Sequence, residues 1–441
     1  MMSGRRDFLK RCGLAGLGLA APVTAAPFNV AAAEQVAEPE PYGGPYYVVF
    51  NASGGWDTTY MMDPKGVEGV NRLYEEGDIL THGNHRFAPI ADHIAAGMSN
   101  ESFFEKYGEE LLVLNGLDYS VNNHSPGSRY MATGKLDSLA YPTFAALVAG
   151  CRGQRTPLAF LTFGQYSATG NLVPMARVPY LNSLNQLANA DAVQGVARHP
   201  YQDAFVTDRI ERALREQADD RRGQSRLPRR ERAQSMLYAA QLNSKALQRV
   251  TPFVPKDSPK ERLSRQADIA LASFKAGVCV SANLSIGQFD SHNKNDQDQM
   301  KLIPELLAGI DYLMARAEEL RIREQLVVVM QSEMGRTPTY NKGDGKDHWS
   351  IGSIMFMGRG IRGNRVIGET DEKQMLATVN VNSLAVDAAE GIRIRPEHIH
   401  DALRRLAGIE DHPFSKKFPL DVPAEESLRQ LWKTAEQIES R

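Results

Sequence analysis

Carboxylate and imidazole side chains recur in four short polar segments of the sequence, each next to an apolar run. Carboxylate oxygen and imidazole nitrogen together suit Zn²⁺, Mn²⁺ or Fe, whereas Mg²⁺ and Ca²⁺ prefer oxygen ligands. The pattern therefore predicts a divalent metal site, with Zn²⁺ preferred and Mn²⁺, Ca²⁺ or Mg²⁺ as alternatives. The segments are "SGGWDTT", "QFDSHNKND", "SEMGRTP" and "NKGDGKDHW", and their candidate ligands are Asp57, Asp290, His292, Glu333, Asp347 and His348.

The spacing inside these segments supports metal binding, although each residue also has an ordinary structural role. Asp290 and His292 are two residues apart, so on an extended backbone both side chains point to the same side and could grip one ion. An aspartate after a strand, such as Asp57, is typical of a turn or a helix cap. Glu333 could pair with Arg336 at the surface. The joint placement of these residues beside predicted strands favours the metal site.

Six nearly continuous apolar runs are predicted to form the β-strands that position these residues. Such runs are typical of strands buried on both faces in a parallel sheet covered by helices. Helical patterns at 260–277 and 303–323 lie between them, so the sequence predicts a doubly wound, mostly parallel α/β domain. Ligands bind beyond the carboxyl ends of the strands in these sheets. The runs are 46–52, 110–116, 157–164, 278–285, 325–331 and 353–358.

The bulk composition limits the classes of partner. The chain has 441 residues, of which 42% are apolar and 24% charged, and this allows one large domain or two smaller ones. Its net charge of −2 provides no general basic field, so neither nucleic acid nor an anionic membrane is expected as a partner. A charged helical insertion is predicted at about 203–260, as a cap or an oligomer contact, and an amphipathic helical tail at 412–441.

The N-terminal segment predicts export. Arg5 and Arg6 precede a mildly apolar run rich in Gly and Ala, which indicates a twin-arginine signal peptide over 1–33, then a linker over 34–45. A periplasmic or secreted location follows. A membrane anchor is the alternative, but the run is short for a bilayer, and no later stretch is long enough to span one. Cys151 and Cys279 could form a disulfide in that compartment or remain two thiols.

The segments "GGWD", "FDSH", "SEMGRTP" and "GKDH", with the twin-arginine start, resemble in order and spacing an exported bacterial family of unknown function. That family is sulfatase-like and is grouped within the alkaline phosphatase superfamily. The resemblance covers roughly 46–410 and implies an alkaline-phosphatase-like domain over 46–411. It also implies a two-metal site at the carboxyl edge of the sheet, with a Ser, Thr or Cys nucleophile at a helix start.

The resemblance implies particular roles for the candidate residues, with two departures from the superfamily pattern. Glu333 is followed by Met334 where an imidazole ligand is expected, and His124 falls in the nucleophile position with Ser125 one residue away. If His124 replaces the lost imidazole, the two ions have the following ligands: Asp57, His124 and Glu333 for one, and Asp290, His292 and His348 for the other.

These features predict a periplasmic metal-dependent hydrolase of phosphate or sulfate esters. Metal-activated water would attack a small anionic ester, and Arg336 would hold the anionic group bidentately. If Ser125 is instead the nucleophile, a covalent enzyme intermediate forms first. His124, Ser125 and Arg336 are thus the candidate catalytic residues. The alternative is a catalytically degraded binding or scaffold protein with an unknown protein partner, so the sequence leaves open whether the protein is an enzyme.

Overall fold

The computed structural model describes residues 40–90, 97–153, 156–164, 166–188, 244–257 and 259–439, with scattered helical positions between 205 and 220. The predicted signal peptide, the first half of the predicted linker and most of the predicted helical insertion lie outside these residues. Within the described ranges, no helix has the length and apolar character needed to cross a membrane.

The described strands form one central sheet and two small two-stranded sheets. The central sheet has eight strands in the order β12-β4-β11-β8-β1-β7-β5-β6, and β9 pairs with β10 while β2 pairs with β3. The strands are β1 (Tyr46–Ala52), β2 (Leu80–His82), β3 (His85–Phe87), β4 (Leu112–Asp118), β5 (Phe160–Thr162), β6 (Met175–Ala176), β7 (Ser281–Ile286), β8 (Leu326–Gln331), β9 (Gly335–Arg336), β10 (His348–Trp349), β11 (Ile351–Gly358) and β12 (Arg365–Ile367).

Strand direction brings the polar segments to one edge of the central sheet. Strand β11 is antiparallel to both of its neighbours, β4 and β8. The other pairs in this sheet are parallel. Strands β1, β4, β7 and β8 therefore end at the same edge, and β11 begins there. The predicted mostly parallel α/β fold is confirmed. Each predicted strand is present, β1 with the predicted ends and the other five with one or both ends shifted.

Helices cover both faces of the sheet and explain the continuous apolar runs. Alternate residues of β1 enter different cores, with Val48 on one side and Val49 on the other. Helices α5 and α6 pack on the first side, while α3 and α7 pack on the second. The described helices are α1 (Asn100–Tyr107), α2 (His124–Thr133), α3 (Phe144–Arg152), α4 (Leu181–Ala188), α5 (Arg262–Lys275), α6 (Asn295–Glu319), α7 (Pro396–Leu406), α8 (Pro413–Lys417) and α9 (Ala435–Glu439).

The predicted helical tail is wrong as one continuous element. Within 412–439 the chain forms α8, a 3₁₀-helix at Ala424–Glu426, an irregular stretch and then α9. Leu428, Leu431 and Trp432 of the irregular stretch are buried, and the Trp432 indole donates a hydrogen bond of 2.6 Å to the Ala402 carbonyl of α7. These apolar side chains pack inward, so the tail follows the surface of the domain.

The two thiols remain separate. Cys151 and Cys279 are both free; Cys279 is fully buried, and burial raises its pKa to about 12. The structure thus contains no disulfide between them.

Candidate metal centre

The loop after β7 places two candidate ligands at the carboxyl edge of the sheet. Asp290 and His292 lie in the loop that follows Ile286, the last residue of this strand, and flank the buried Ser291. The loop after β1 approaches so closely that a Cβ on Gly54 would lie 2.4 Å from the Asp290 amide nitrogen. Gly54 also has a φ of +122°, which side chains rarely allow, so glycine is required there on both counts.

Asp290 lies at the centre of three imidazoles. Its Oδ2 is 3.2 Å from Nε2 of His124, and its Oδ1 is 3.2 Å from Nε2 of both His292 and His348. Helix α2 provides the first imidazole, the β7 loop the second, and β10 the third. We call these four residues the imidazole cluster: His124, Asp290, His292 and His348.

Each ring of the cluster is held from outside through its other nitrogen. Nδ1 of His124 is 3.0 Å from Glu333 Oε1, and Nδ1 of His292 is 2.9 Å from Asp347 Oδ1. Nδ1 of His348 is 2.9 Å from the Asn122 carbonyl. A carbonyl or carboxylate oxygen accepts in these bonds, so Nδ1 carries the proton and Nε2 of a neutral ring presents a lone pair.

The cluster consequently directs four electron-pair donors at one another. Nε2 of His292 is only 3.0 Å from Nε2 of His348. With Nδ1 already protonated, two neutral rings would place lone pairs face to face, and the Asp290 carboxylate adds more negative charge. A cation resolves this repulsion. The ligand atoms of His124, Asp290 and His348 all lie within 4.8 Å of one another, so these residues fit one metal ion, with His292 beside them.

The electrostatics of the cluster also favour a positive charge. The hydrogen bond with Glu333, and the nearby Asp290, raise the pKa of His124 against the opposing effect of burial. Partial burial raises the pKa of Asp290, but the hydrogen bond from Arg336 and the other positive neighbours outweigh it and lower that pKa to about 2. The Asp290 carboxylate is therefore ionised at neutral pH.

The cluster opens to solvent. Side-chain exposure is 39% for His124, 43% for Asp290, 41% for His292 and 19% for His348. Structural zinc sites are closed, whereas catalytic sites keep a position accessible to water or substrate. The exposure of these side chains matches the second type.

Arg336 contacts the imidazole cluster from the protein interior and does not face the solvent. Its side chain is fully buried, and it donates to the carbonyls of Gly54, Gly55 and Lys346 and to Asp290 Oδ1 at 2.8 Å. Four of its five N–H groups are thus used inside the protein. The guanidinium of Arg336 is therefore neither free nor accessible to hold a substrate anion, which is the role that the sequence predicted. Arg336 instead positions the Asp290 carboxylate.

Asp57 belongs to a different group of contacts. It is buried, forms the N-cap of the 3₁₀-helix Thr58–Tyr60, and pairs with the buried Lys346 at 2.6 Å. Its carboxylate also accepts hydrogen bonds from Thr59 and Asn295. Asp57 therefore serves as a helix cap, the structural alternative that its position after a strand suggested, and it also carries an internal ion pair.

Ser125 lies in the first turn of α2, next to His124, and is exposed. Its backbone N–H donates to the Asn123 side chain, which caps the helix, at 3.2 Å. Of the candidate residues, the structure thus brings together the imidazole cluster with Glu333 and Asp347 around it, and it assigns Arg336 and Asp57 to supporting positions.

Comparison with known sequences gives the family. Residues 53–412 match the family described as "Protein of unknown function (DUF1501)". The chain belongs to this family. No curated protein matches the sequence of this DUF1501 member.

Several solved structures resemble the fold at low identity. A PsFucS1 sulfatase from Pseudoalteromonas sp. has a TM-score of 0.37 and 12% identity, over 84% of this chain and 69% of that chain. A mutant of TAB5 alkaline phosphatase with Mg bound has a TM-score of 0.36 and 9% identity, over 84% of this chain and 99% of that chain. A structure named Ps i-CgsB has a TM-score of 0.37 and 7% identity, over 86% of this chain and 74% of that chain.

Sequence reasoning missed three residues that shape the site of this DUF1501 member. The Asn122 carbonyl orients His348 through its backbone, so no residue type signals that role. Lys346 pairs with an aspartate 289 positions away. Asn341 was detectable, because an Asn side chain often bonds the backbone two residues further on, and Gly343 occupies that position in "NKGDG". Its side chain accepts from the backbone N–H of Gly343 and Gly345 and donates to the His292 carbonyl at 2.9 Å.

Proposed function

We propose that this protein is a metal-dependent hydrolase of phosphate or sulfate esters. The observation that carries the proposal is the convergence of three imidazole Nε2 atoms and one carboxylate at a solvent-accessible point. Nδ1 of each ring has its own acceptor, and these hydrogen bonds orient all three Nε2 atoms toward Asp290. Metal-ligating histidines in proteins are held in this way.

The donor set favours a transition metal. Three imidazole nitrogens and one carboxylate oxygen suit Zn²⁺ or Mn²⁺, whereas Ca²⁺ and Mg²⁺ prefer all-oxygen sites. An ion held by the imidazole cluster would supply Lewis acidity, which activates water at neutral pH and stabilises charge on a leaving oxygen.

The residues of the chain divide the remaining work. Glu333 and Asp347 fix the orientation of two rings, and Arg336 holds the Asp290 carboxylate while its positive charge keeps that group ionised. The open face leaves room for water and an ester beside the cluster. The contacts of His124 also support direct attack by water. Both its nitrogens are engaged, with Glu333 and Asp290, so this neighbouring ring is not free to deprotonate Ser125.

The test is ester hydrolysis by the purified protein loaded with Zn²⁺ or Mn²⁺. We expect hydrolysis of p-nitrophenyl phosphate or p-nitrophenyl sulfate, its loss with a chelator and its return when metal is restored. His348→Ala should abolish it, whereas the matched control His82→Ala, in the β2–β3 hairpin, should not.

Two results would overturn the proposal. Stoichiometric metal binding without cleavage of either ester class would favour a binding protein. A folded chain that binds no ion and captures one protein partner would favour the degraded scaffold.

We further propose that the protein is exported by the twin-arginine route. Arg5 and Arg6 support this proposal. Cell fractionation should find the native protein in the periplasm or medium, and the change of both arginines to lysine should retain it in the cytoplasm. Unchanged export of that variant would contradict the route.

A further inference from the structure

We infer that the metal centre takes one ion per chain, because the ammonium group of Lys346 occupies the position beside Asp57 that a second ion would need. The superfamily resemblance implies a second ion held by Asp57, His124 and Glu333. The contacts of these residues do not fit that ion. The inference rests on the proposed metal centre, and it concerns the number of ions rather than the reaction.

The Asp57 carboxylate has no lone pair left for a metal. Its Oδ1 accepts from the Thr59 N–H at 3.1 Å and from the Thr59 hydroxyl at 2.7 Å. Its Oδ2 accepts from Asn295 at 3.0 Å and from Lys346 at 2.6 Å. A carboxylate offers about four acceptor positions, so these bonds saturate it. The side chain is also closed off from solvent, at 0% exposure.

Lys346 is a fixed internal cation. Its side chain is 0% exposed and neutralises Asp57. The ammonium also lies 5.1 Å from the centre of the Tyr340 ring and 5.7 Å from that of Tyr60, which places it in range of two aromatic faces. Both tyrosine hydroxyls donate to Asp296. Displacement of this lysine would leave a buried charge without its partner, which is costly.

The other two residues implied for a second ion are committed elsewhere. Glu333 Oε1 accepts from the Gly54 N–H at 2.8 Å and lies 3.0 Å from Nδ1 of His124. His124 in turn directs Nε2 at Asp290. Glu333 and His124 therefore form part of the first ion's surroundings, and within the part of the chain that the structure describes they leave no donor set for a second ion at Asp57.

The Asp57–Lys346 pair instead supports the single centre. Asn295 donates to Asp57 and accepts from the Ser291 hydroxyl at 2.5 Å. Ser291 stands between the two ligands Asp290 and His292. The pair thus anchors the segment that carries half of the imidazole cluster.

The test counts Mn²⁺ bound by the wild-type protein at saturation, by elemental analysis after desalting and by electron paramagnetic resonance. We expect one ion per chain and the signal of isolated Mn²⁺. Two ions about 3.5–4 Å apart, the usual separation in two-metal sites, would give an exchange-coupled signal. A count of two with that signal would overturn the inference without the need for any variant.

The number of Mn²⁺ ions bound by two variants shows which residues hold the ion. Asp57→Asn, checked for folding by circular dichroism, should retain one ion, and a fall from two ions to one would overturn the inference. His348→Ala should retain none. A wild-type count of zero would reject the metal centre itself. A count of one without ester hydrolysis would leave the inference standing and reject the proposed hydrolase.

Discussion

The imidazole cluster and the Asp57–Lys346 pair lie at the same edge of one sheet, yet the surroundings of their carboxylates differ. The pair contains its own cation and is closed to solvent. The cluster contains a carboxylate and three rings whose outward nitrogens are already used, and it is open. The pair balances its own charge, whereas the cluster leaves a carboxylate and ring lone pairs that a cation would balance.

This difference shows that residue type alone does not identify a metal ligand. Asp57 and Asp290 both follow strands and both contact positively charged side chains. Asp57 has four hydrogen bonds from internal donors that saturate it, whereas Asp290 faces three nitrogens that can each offer a lone pair. The balance of donors and acceptors around a carboxylate decides whether it can take an ion.

The largest expected effect is the loss of metal from Asp290→Asn. The variant keeps the size of the side chain but removes the anionic ligand. Metal affinity should therefore fall by more than the roughly 100-fold that an outer partner of a ligand is worth. Isothermal titration with Zn²⁺ or Mn²⁺ measures it. A metal affinity within tenfold of the wild type would show that Asp290 is not a metal ligand. It would also contradict the difference drawn between Asp290 and Asp57.

The next largest effect is expected on the stability of the Lys346→Met variant. This change leaves the Asp57 carboxylate buried without its counter-ion, and the free energy of unfolding should fall by about 3–5 kcal/mol. Urea denaturation measures it. The double variant Asp57→Asn with Lys346→Met removes both charges and should recover much of the loss. Equal destabilisation of the single and double variants would show that the charge pairing is not what matters.

Glu397 is a second buried acid that sharpens the comparison, because its cation Arg395, at 2.8 Å, is 40% exposed, whereas Lys346 is buried. Burial raises its pKa to about 7, and Tyr130 donates to it. The folded state thus holds a proton that the unfolded state releases near pH 4.5. This contribution to stability is complete below about pH 4.5 and is lost as the pH rises through about 7.

Glu397→Gln tests that pH dependence. The variant cannot ionise, so its stability relative to the wild type should improve from pH 4.5 to pH 8. The expected change is about 2 kcal/mol, reduced from the roughly 3 kcal/mol equivalent of the pKa shift because water screens part of the effect. Thermal or urea unfolding across this pH range measures it. A constant difference between the two proteins would contradict the raised pKa.

The smallest effect is expected from Asp347→Asn. Asp347 accepts from His292, and this bond lowers the pKa of the carboxyl group. A neutral amide orients the ring less strongly, so metal affinity should fall about tenfold. Asp344→Asn is the matched control, since Asp344 is in the same loop and pairs with the exposed Arg72 instead. Equal effects in both variants would remove the orienting role.

Much of the fold could be predicted from the sequence, because strands buried on both faces leave an unmistakable apolar run. The direction of β11 could not, since an apolar run such as Ile351–Gly358 reads the same whether its neighbours are parallel or antiparallel. The C-terminal tail has apolar residues at helical spacing. Those side chains are instead buried from an irregular backbone, because tertiary packing outweighs local preference there.

The candidate site was predictable as a set of residues but not as a set of roles. Strand ends locate His292 and His348 at one edge, and the structure brings them to 3.0 Å. Whether Glu333 contacts an ion or a ligand depends on which donors reach its oxygens, and the Gly54 N–H that does so comes from a distant loop. Spacing along a chain does not contain that information.

The antiparallel pairing of β11 with β8, and of β10 with β9, fixes where His348 lies relative to the rest of the imidazole cluster. Met355 is opposite Met330 of β8, and His348 is opposite Arg336 where β10 meets β9. A shift of two residues in the β9–β10 pairing would move His348 about 7 Å from its partners. A shift of one residue would turn its ring to the other face. The register of these backbone hydrogen bonds therefore sets the position of His348 relative to Arg336 and the rest of the imidazole cluster.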